Sequence, residues 1–98
     1  KTCKPVSEID FYRSLSRVNE EDFDREKESI AARETKDLGC LTSEQIKEFA
    51  ATLEFERNRL SYMKFAYTYC SDTDNYYDTL KHLLQFKSSK QELENWTR

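Results

Sequence analysis

The sequence predicts an all-α fold, a compact bundle of about six short helices arranged as three helical hairpins. Three observations carry this. One glycine (Gly39) and one proline (Pro5) occur in 98 residues, too few for the turns that an all-β domain needs. Apolar residues recur at helical spacing along most of the chain. Helix-start signatures of the form Ser/Thr-x-x-Gln punctuate the pattern.

Helix 1 is expected to start near Ser7, a good N-cap, and to run to about Val18. Phe11, Leu15 and Val18 share one face. The polar link Asn19–Asp22 leads into helix 2, which runs to about Lys36 with Phe23, Ile30 and Ala31 on one side. Lys27 lies between them, its stem on the core and its ammonium in water. The run Glu20, Glu21, Asp22 and Asp24 suits a helix start. Gly39 closes the first pair. Helix 3 opens at "LTSEQIKEF", where Thr42 and Gln45 form a capping box and Leu41 the staple residue. Its stripe is Ile46, Phe49, Ala50 and Leu53.

After a break at Glu54–Phe55, helix 4 is expected to run to about Cys70. It has two apolar stripes: Leu60, Met63, Tyr67 and Cys70 on one side, Tyr62, Phe65 and Tyr69 on the other. A short helix apolar on two sides is covered on two sides, so it is placed at the centre. Helix 5 begins around Thr73–Asn75 and turns Tyr76, Tyr77, Leu80, Leu83 and Leu84 inward. Ser88 and Gln91 read as a second capping box, opening a last helix with Leu93 and Trp96. The two breaks "TLEFERNRL" and "LLQFKSSKQEL" both place an apolar residue, one spacer and Phe, then a basic residue four further on. Phe55 and Phe86 are 31 residues apart, and Leu15 with Phe23 gives a looser copy, a period that suits stacked helical hairpins.

The length suits one domain over residues 1–98, with 1–6 as an N-terminal tail. Aromatics at 13% separate the chain from the disordered class. A net charge of −3 and a pI near 5.2 argue against a nucleic-acid partner. No apolar run is long enough to be a transmembrane segment. No targeting segment is visible, and the first residue is Lys rather than Met, so compartment is open on this ground. Three cysteines and one histidine, with no Cys-x-x-Cys, make a structural zinc site a poor fit. They leave three thiols, or one disulfide and one thiol. Cys70 follows an apolar pattern and reads as a buried thiol. Cys3 and Cys40 fall in loops, where a cross-link makes sense, and a reduced cytoplasmic chain is the alternative.

Five elements in order resemble a family, the bacterial domain of unknown function 4476. They are the Thr-x-x-Gln start at Thr42–Gln45, Phe-Glu-x-x-Arg-Leu at Phe55–Leu60, and Lys-x-Ala-Tyr at Lys64–Tyr67. The other two are the Asp-x-x-Asn-Tyr-Tyr corner at Asp72–Tyr77 and the Phe-x-Ser-Ser-x-x-Glu-Leu ending at Phe86–Leu93. The match is close over residues 40–97. Phe11, Phe23 and Lys27 fit a looser N-terminal half. The resemblance implies an exported protein (periplasmic, outer-envelope or secreted) with a Cys3–Cys40 disulfide in an oxidising compartment. It brings no catalytic residues, and Cys70 is a departure from it.

The candidate site is the corner "FAYTYCSDTDNYYD" at 65–78. Asp72, Asp74 and Asp78 take positions 1, 3 and 7 of a cation loop. Tyr77 stands where an EF-hand needs Gly, and Leu83 where it needs Glu. Asp72 or Asp74 is expected instead to cap helix 5, and the corner to bind no cation. The tyrosines at 62, 67, 69, 76 and 77 are expected in the core, with hydroxyls on loop backbone or water. If the corner binds something, the patch is Tyr69, Asp72, Asp74, Asn75 and Tyr76. His82 is expected on a polar face, with no triad partners beside it. Arg57, Arg59, Lys64, Lys81, Lys87 and Lys90 read as a mixed solvated surface diluted by Glu54, Glu56 and Glu92. The expectation is a non-enzymatic interaction module with a protein partner and no cofactor. The alternative is a small-ligand or glycan-binding domain that uses the Tyr/Asp corner at 67–78.

Overall fold

The computed structural model describes residues 3–98, so Lys1 and Thr2 of the expected N-terminal tail lie outside the described residues. The helices are α1 (Glu8–Asn19), α2 (Asp24–Leu38), α3 (Ser43–Ala51), α4 (Glu56–Ala66), α5 (Tyr76–Leu80) and α6 (Lys87–Trp96). Short 3₁₀ turns at Tyr67–Tyr69, Thr73–Asn75 and Lys81–Leu83 join the last three. Among the described residues there is no strand, only one isolated parallel bridge between Leu41 and Cys70. The fold is an all-α bundle, as the breaker-poor sequence predicts.

Several helix ends are written locally. Ser7 Oγ accepts from Asp10 N at 3.2 Å. At α3, Thr42 Oγ1 accepts from Gln45 N at 3.1 Å, and Gln45 Oε1 accepts from Thr42 N at 2.9 Å. Gly39 ends α2 at φ 82°, a left-handed conformation that a side chain would strain, and donates its N–H to Thr35 O.

The helices form two layers. α1, α3 and α5 are neighbours in one, and α2, α4 and α6 are neighbours in the other. The first two hairpins pack α1 on α2 and α3 on α4. The result is a slab of 33 × 33 × 16 Å measured over Cα atoms. Between the layers, Phe11, Phe49 and Tyr62 meet edge to face at ring separations of 5.2 and 6.1 Å. α4 touches α2, α3 and α6, which makes it central.

The face α4 buries is narrower than its two stripes suggest. Tyr62, Met63 and Ala66 are fully buried, whereas Leu60 is half-buried and Phe65 is 39% exposed. Phe65 instead packs on Tyr69 at the surface, ring to ring at 5.4 Å. The helix also ends earlier than expected, at Ala66. The chain tightens into a 3₁₀ turn so that Cys70 becomes extended and pairs with Leu41. Leu41 N donates to Tyr69 O at 2.9 Å, and Ser71 N donates to Leu41 O at 2.8 Å.

Three further expectations are corrected. Phe23 is not on the core side of α2. It is the N-cap residue and 74% exposed, while Glu34 and Thr35 take the buried positions. Ser88 does not cap α6. The helix begins two residues earlier than that cap implies, at Lys87 after Phe86, and Gln91 Nε2 donates to Asn95 Oδ1. Residues 73–75 are a 3₁₀ turn, and the α-helix proper starts at Tyr76.

Every buried polar side-chain atom among the described residues has a partner. Thr35 Oγ1 and Tyr62 Oη share a hydrogen bond at 2.7 Å. The buried Glu34 carboxylate joins the first hairpin by accepting from Ser14 Oγ and Arg17 Nη1, both at 2.7 Å. Burial works against its charge, but these donors outweigh it and hold the carboxyl below its ordinary value. Cys3 and Cys40 form a disulfide, and Val6 N donates to Cys40 O at 3.1 Å, which lays the N-terminal segment against the start of α3.

Candidate functional site

The corner at 67–78 turns most of its chemistry inward. Tyr76 is fully buried and donates to Met63 O at 2.6 Å; its burial removes it from the expected surface patch. Tyr67 packs edge to face on Tyr76 at 5.0 Å and donates to Thr97 O at 3.0 Å. Tyr69 is half-buried against Phe65, whereas Asp74 and Asn75 are exposed.

Asp72 caps a helix, but not the one expected. Its Oδ1 accepts from Ser43 N at 2.7 Å and its Oδ2 from Ser43 Oγ at 2.9 Å, in the first turn of α3. The Leu41–Cys70 bridge brings that turn alongside the corner. Burial raises the Asp72 carboxyl, but the bonds from Ser43, Cys70 and Asn75 overcome this and leave it below the ordinary aspartate value. A carboxyl with a depressed folded value stabilises fully above its unfolded value and loses that contribution as pH falls through the folded one. Asp72→Ala is therefore expected to lower the melting temperature at pH 7, equally with and without millimolar calcium, and much less in acid. A calcium-dependent rise in the parent that vanishes in the variant would make the corner a cation site.

Asp72, Asn75, Asp78 and His82 line an open depression that Ser43, Glu44, Lys47 and Thr79 complete. His82 is exposed on it, as its polar face predicts. No group of three or more metal-ligating side chains is arranged around an ion position among the described residues. Cys70 is buried, and burial first, then its bond to Asp72, pushes its thiol up to about 12, far from a reactive thiolate. The basic residues are dispersed. Lys64 pairs with Glu92 and sits 4.9 Å over the Trp96 ring. Lys81 pairs with Asp78. Arg59 is spent on the carbonyls of Leu53 and Leu83 at 2.7 and 3.0 Å.

The more developed surface lies elsewhere, at the three phenylalanine turns. Phe23, Phe55 and Phe86 are the N-cap residues of α2, α4 and α6. None has a capping side chain of its own, and the caps of the last two come from the preceding turn. Asp24, the first residue of α2, accepts from Glu54 N and from Phe55 N at 2.8 Å. Glu56, the first residue of α4, accepts from Gln85 N at 2.7 Å and Phe86 N at 2.9 Å. Burial opposes the Glu56 charge, yet these amides with Ser89 and Arg59 hold its carboxyl below the ordinary value. In each turn the preceding apolar residue, Leu53 or Leu84, is buried, and the phenylalanine points out.

The three rings are 74%, 64% and 62% exposed, so they are not core residues that happen to reach the surface. The two carboxylate clamps set the helix starts in register, which places the rings along one edge of the α2–α4–α6 layer. Sequence reasoning found the 31-residue recurrence but not its purpose. The readable signal was the acid directly after Phe23 and Phe55, with a base four residues after each phenylalanine. Asp24→Ala is expected to cost about 1–2 kcal/mol, as loss of a cap does, whereas the exposed Asp22→Ala should cost under about 0.5. Urea unfolding measures both. Equal midpoints for the two variants would mean that the clamp contributes nothing.

No curated protein and no solved structure matches the chain. Residues 5–97 match a family model described as Domain of unknown function (DUF4476). With nearly the whole chain covered, from the disulfide-tied segment to the end of α6, the protein belongs to that family.

Proposed function

We propose that this chain is a non-enzymatic interaction module of a bacterial exported or envelope protein, and that it engages its protein partner through the Phe23–Phe55–Phe86 edge. One observation carries the reading: three large apolar side chains stand exposed at the starts of α2, α4 and α6, and the Asp24 and Glu56 carboxylates hold the backbone of the last two. An exposed apolar side chain standing singly needs no explanation, but the same large apolar residue exposed at the start of three neighbouring helices supports a contact surface. Aromatic residues are enriched at such surfaces. The Cys3–Cys40 disulfide favours an oxidising compartment. No described helix is long and apolar enough to cross a membrane.

The glycan-binding alternative needs tyrosine rings open to solvent beside Asp72. Within that corner Tyr76 is buried, Tyr67, Tyr69 and Tyr77 are half-buried, and Asp72 is engaged with Ser43, which weakens it. The test compares the parent with a Phe55→Ser/Phe86→Ser variant, each immobilised and exposed to an envelope extract. Proteins held by the parent and lost by the variant, copies of the chain itself included, are the expected result. Identical retention by both would overturn the reading.

A further inference from the structure

The phenylalanine edge carries opposite charge at its two ends. Before Phe23 stand Glu20, Glu21 and Asp22, and Glu26 follows in the first turn of α2, four acids against the one exposed base there, Arg25. The nearby Lys27 is turned away, donating to Thr52 O at 3.1 Å. After Phe86 stand Lys87 and Lys90, and the Glu56 carboxylate that reaches this end is engaged by the amides of Gln85 and Phe86. Phe55, in the middle, lies between Glu54 and Arg57, one charge of each sign. Such an edge is complementary to itself. Rotated by half a turn about an axis through Phe55, the acidic end of one copy lies on the basic end of the other.

We propose that the Phe23–Phe55–Phe86 edge is a two-fold interface between two copies of this chain. The inference rests on the edge being the interaction surface, and it names the occupant. A two-fold contact uses the same patch on both partners, so a patch that pairs Phe55 with Phe55 and Glu20–Asp22 with Lys87–Lys90 satisfies it from one sequence. Copies joined end to end, α6 of one beside α2 of the next, would lack the clamp that links the turns within the chain. Lys87 stands where Asp24 and Glu56 stand and offers no carboxylate to the amides of the next turn. Packed helices lie about 8–10 Å apart, so the three rings span roughly 20 Å. An interface of that extent belongs to the small, transient class.

Sedimentation equilibrium on the full chain tests this. The parent is expected to move from 11.7 kDa toward twice that mass with rising concentration, and to move less in high salt. Lys87→Glu/Lys90→Glu makes both ends acidic, and Glu20→Lys/Glu21→Lys/Asp22→Lys makes both basic. Each alone should stay monomeric, and an equimolar mixture should regain the dimer. Circular dichroism melts verify that both variants are folded. Phe55→Cys should cross-link to itself on oxidation, whereas Phe23→Cys should link to Phe86→Cys and not to itself. A parent that is monomeric throughout, or variants that associate as the parent does, would overturn the second-copy inference. If the parent is monomeric but still captures proteins that the Phe55→Ser/Phe86→Ser variant loses, the interaction reading stands and only the occupant is wrong. If capture also fails to depend on the edge, both fall.

Discussion

Phe49→Ala is expected to cost about 3–5 kcal/mol, the range for removing a fully buried aromatic ring. The ring lies between the two layers with no exposure, touching Phe11 on one side and Tyr62 on the other. Its loss leaves a void that neither neighbour can fill without giving up another interaction, the edge-to-face contact with Tyr12 for Phe11 or the hydrogen bond to Thr35 for Tyr62. A small domain has only about 5–15 kcal/mol in total, so this one change consumes much of the margin. Phe55→Ala supplies the contrast: the same chemical change on the exposed edge should move stability by under about 0.5 kcal/mol. Thermal and urea unfolding of the pair would decide the matter. Similar melting of Phe49→Ala and Phe55→Ala would mean that the aromatic stack is not the centre of the core.

Opening the Cys3–Cys40 disulfide is expected to destabilise the domain by about 2–4 kcal/mol. The bond spans 37 residues and encloses the whole first hairpin, so its loss returns considerable freedom to the unfolded chain. It also releases the segment that Val6 holds against Cys40. For a domain of this size each kcal/mol shifts the melting temperature by roughly 4–8 °C, so the drop is readily measured. Alkylation followed by mass mapping checks the pairing independently. The native protein should take no label, the unfolded unreduced protein one, at Cys70, and the reduced protein three. Labels at all three positions without reductant would rule the disulfide out.

Much of the helix layout was legible because it is encoded over short distances. The Thr42–Gln45 capping box, the Ser7 cap and the Gly39 stop each depend on residues within four positions of one another. The Phe11–Val18 stripe follows from helical periodicity alone. The buried Cys70 was readable from its apolar setting, though not its extended backbone. That backbone depends on Leu41, far away in sequence, which offers both a donor and an acceptor to it. The candidate site was legible only in part. The corner at 72–77 was correctly seen as a place where carboxylates meet backbone amides, and the helix it serves was misassigned.

What the sequence by itself determined is the class of fold, most helix positions and the family. All of these follow from composition, local spacing and ordered motifs. What only the tertiary structure decided is where each ambivalent residue faces. Phe23 has the spacing of a core residue and lies outside, because the first turn of α2 places Asp24, not Phe23, against the next helix start. Asp72 precedes α5 and caps α3, because the Leu41–Cys70 bridge brings Ser43 closer to it than its own helix. Ser88 has the signature of an N-cap and is not one, because the turn that Glu56 holds through the amides of Gln85 and Phe86 starts the helix at Lys87, with Lys90 N already donating to Phe86 O. In each case the deciding hydrogen bond joins residues about thirty apart. A backbone N–H donates to whichever carboxylate the packing delivers, and local spacing cannot reveal which one that is.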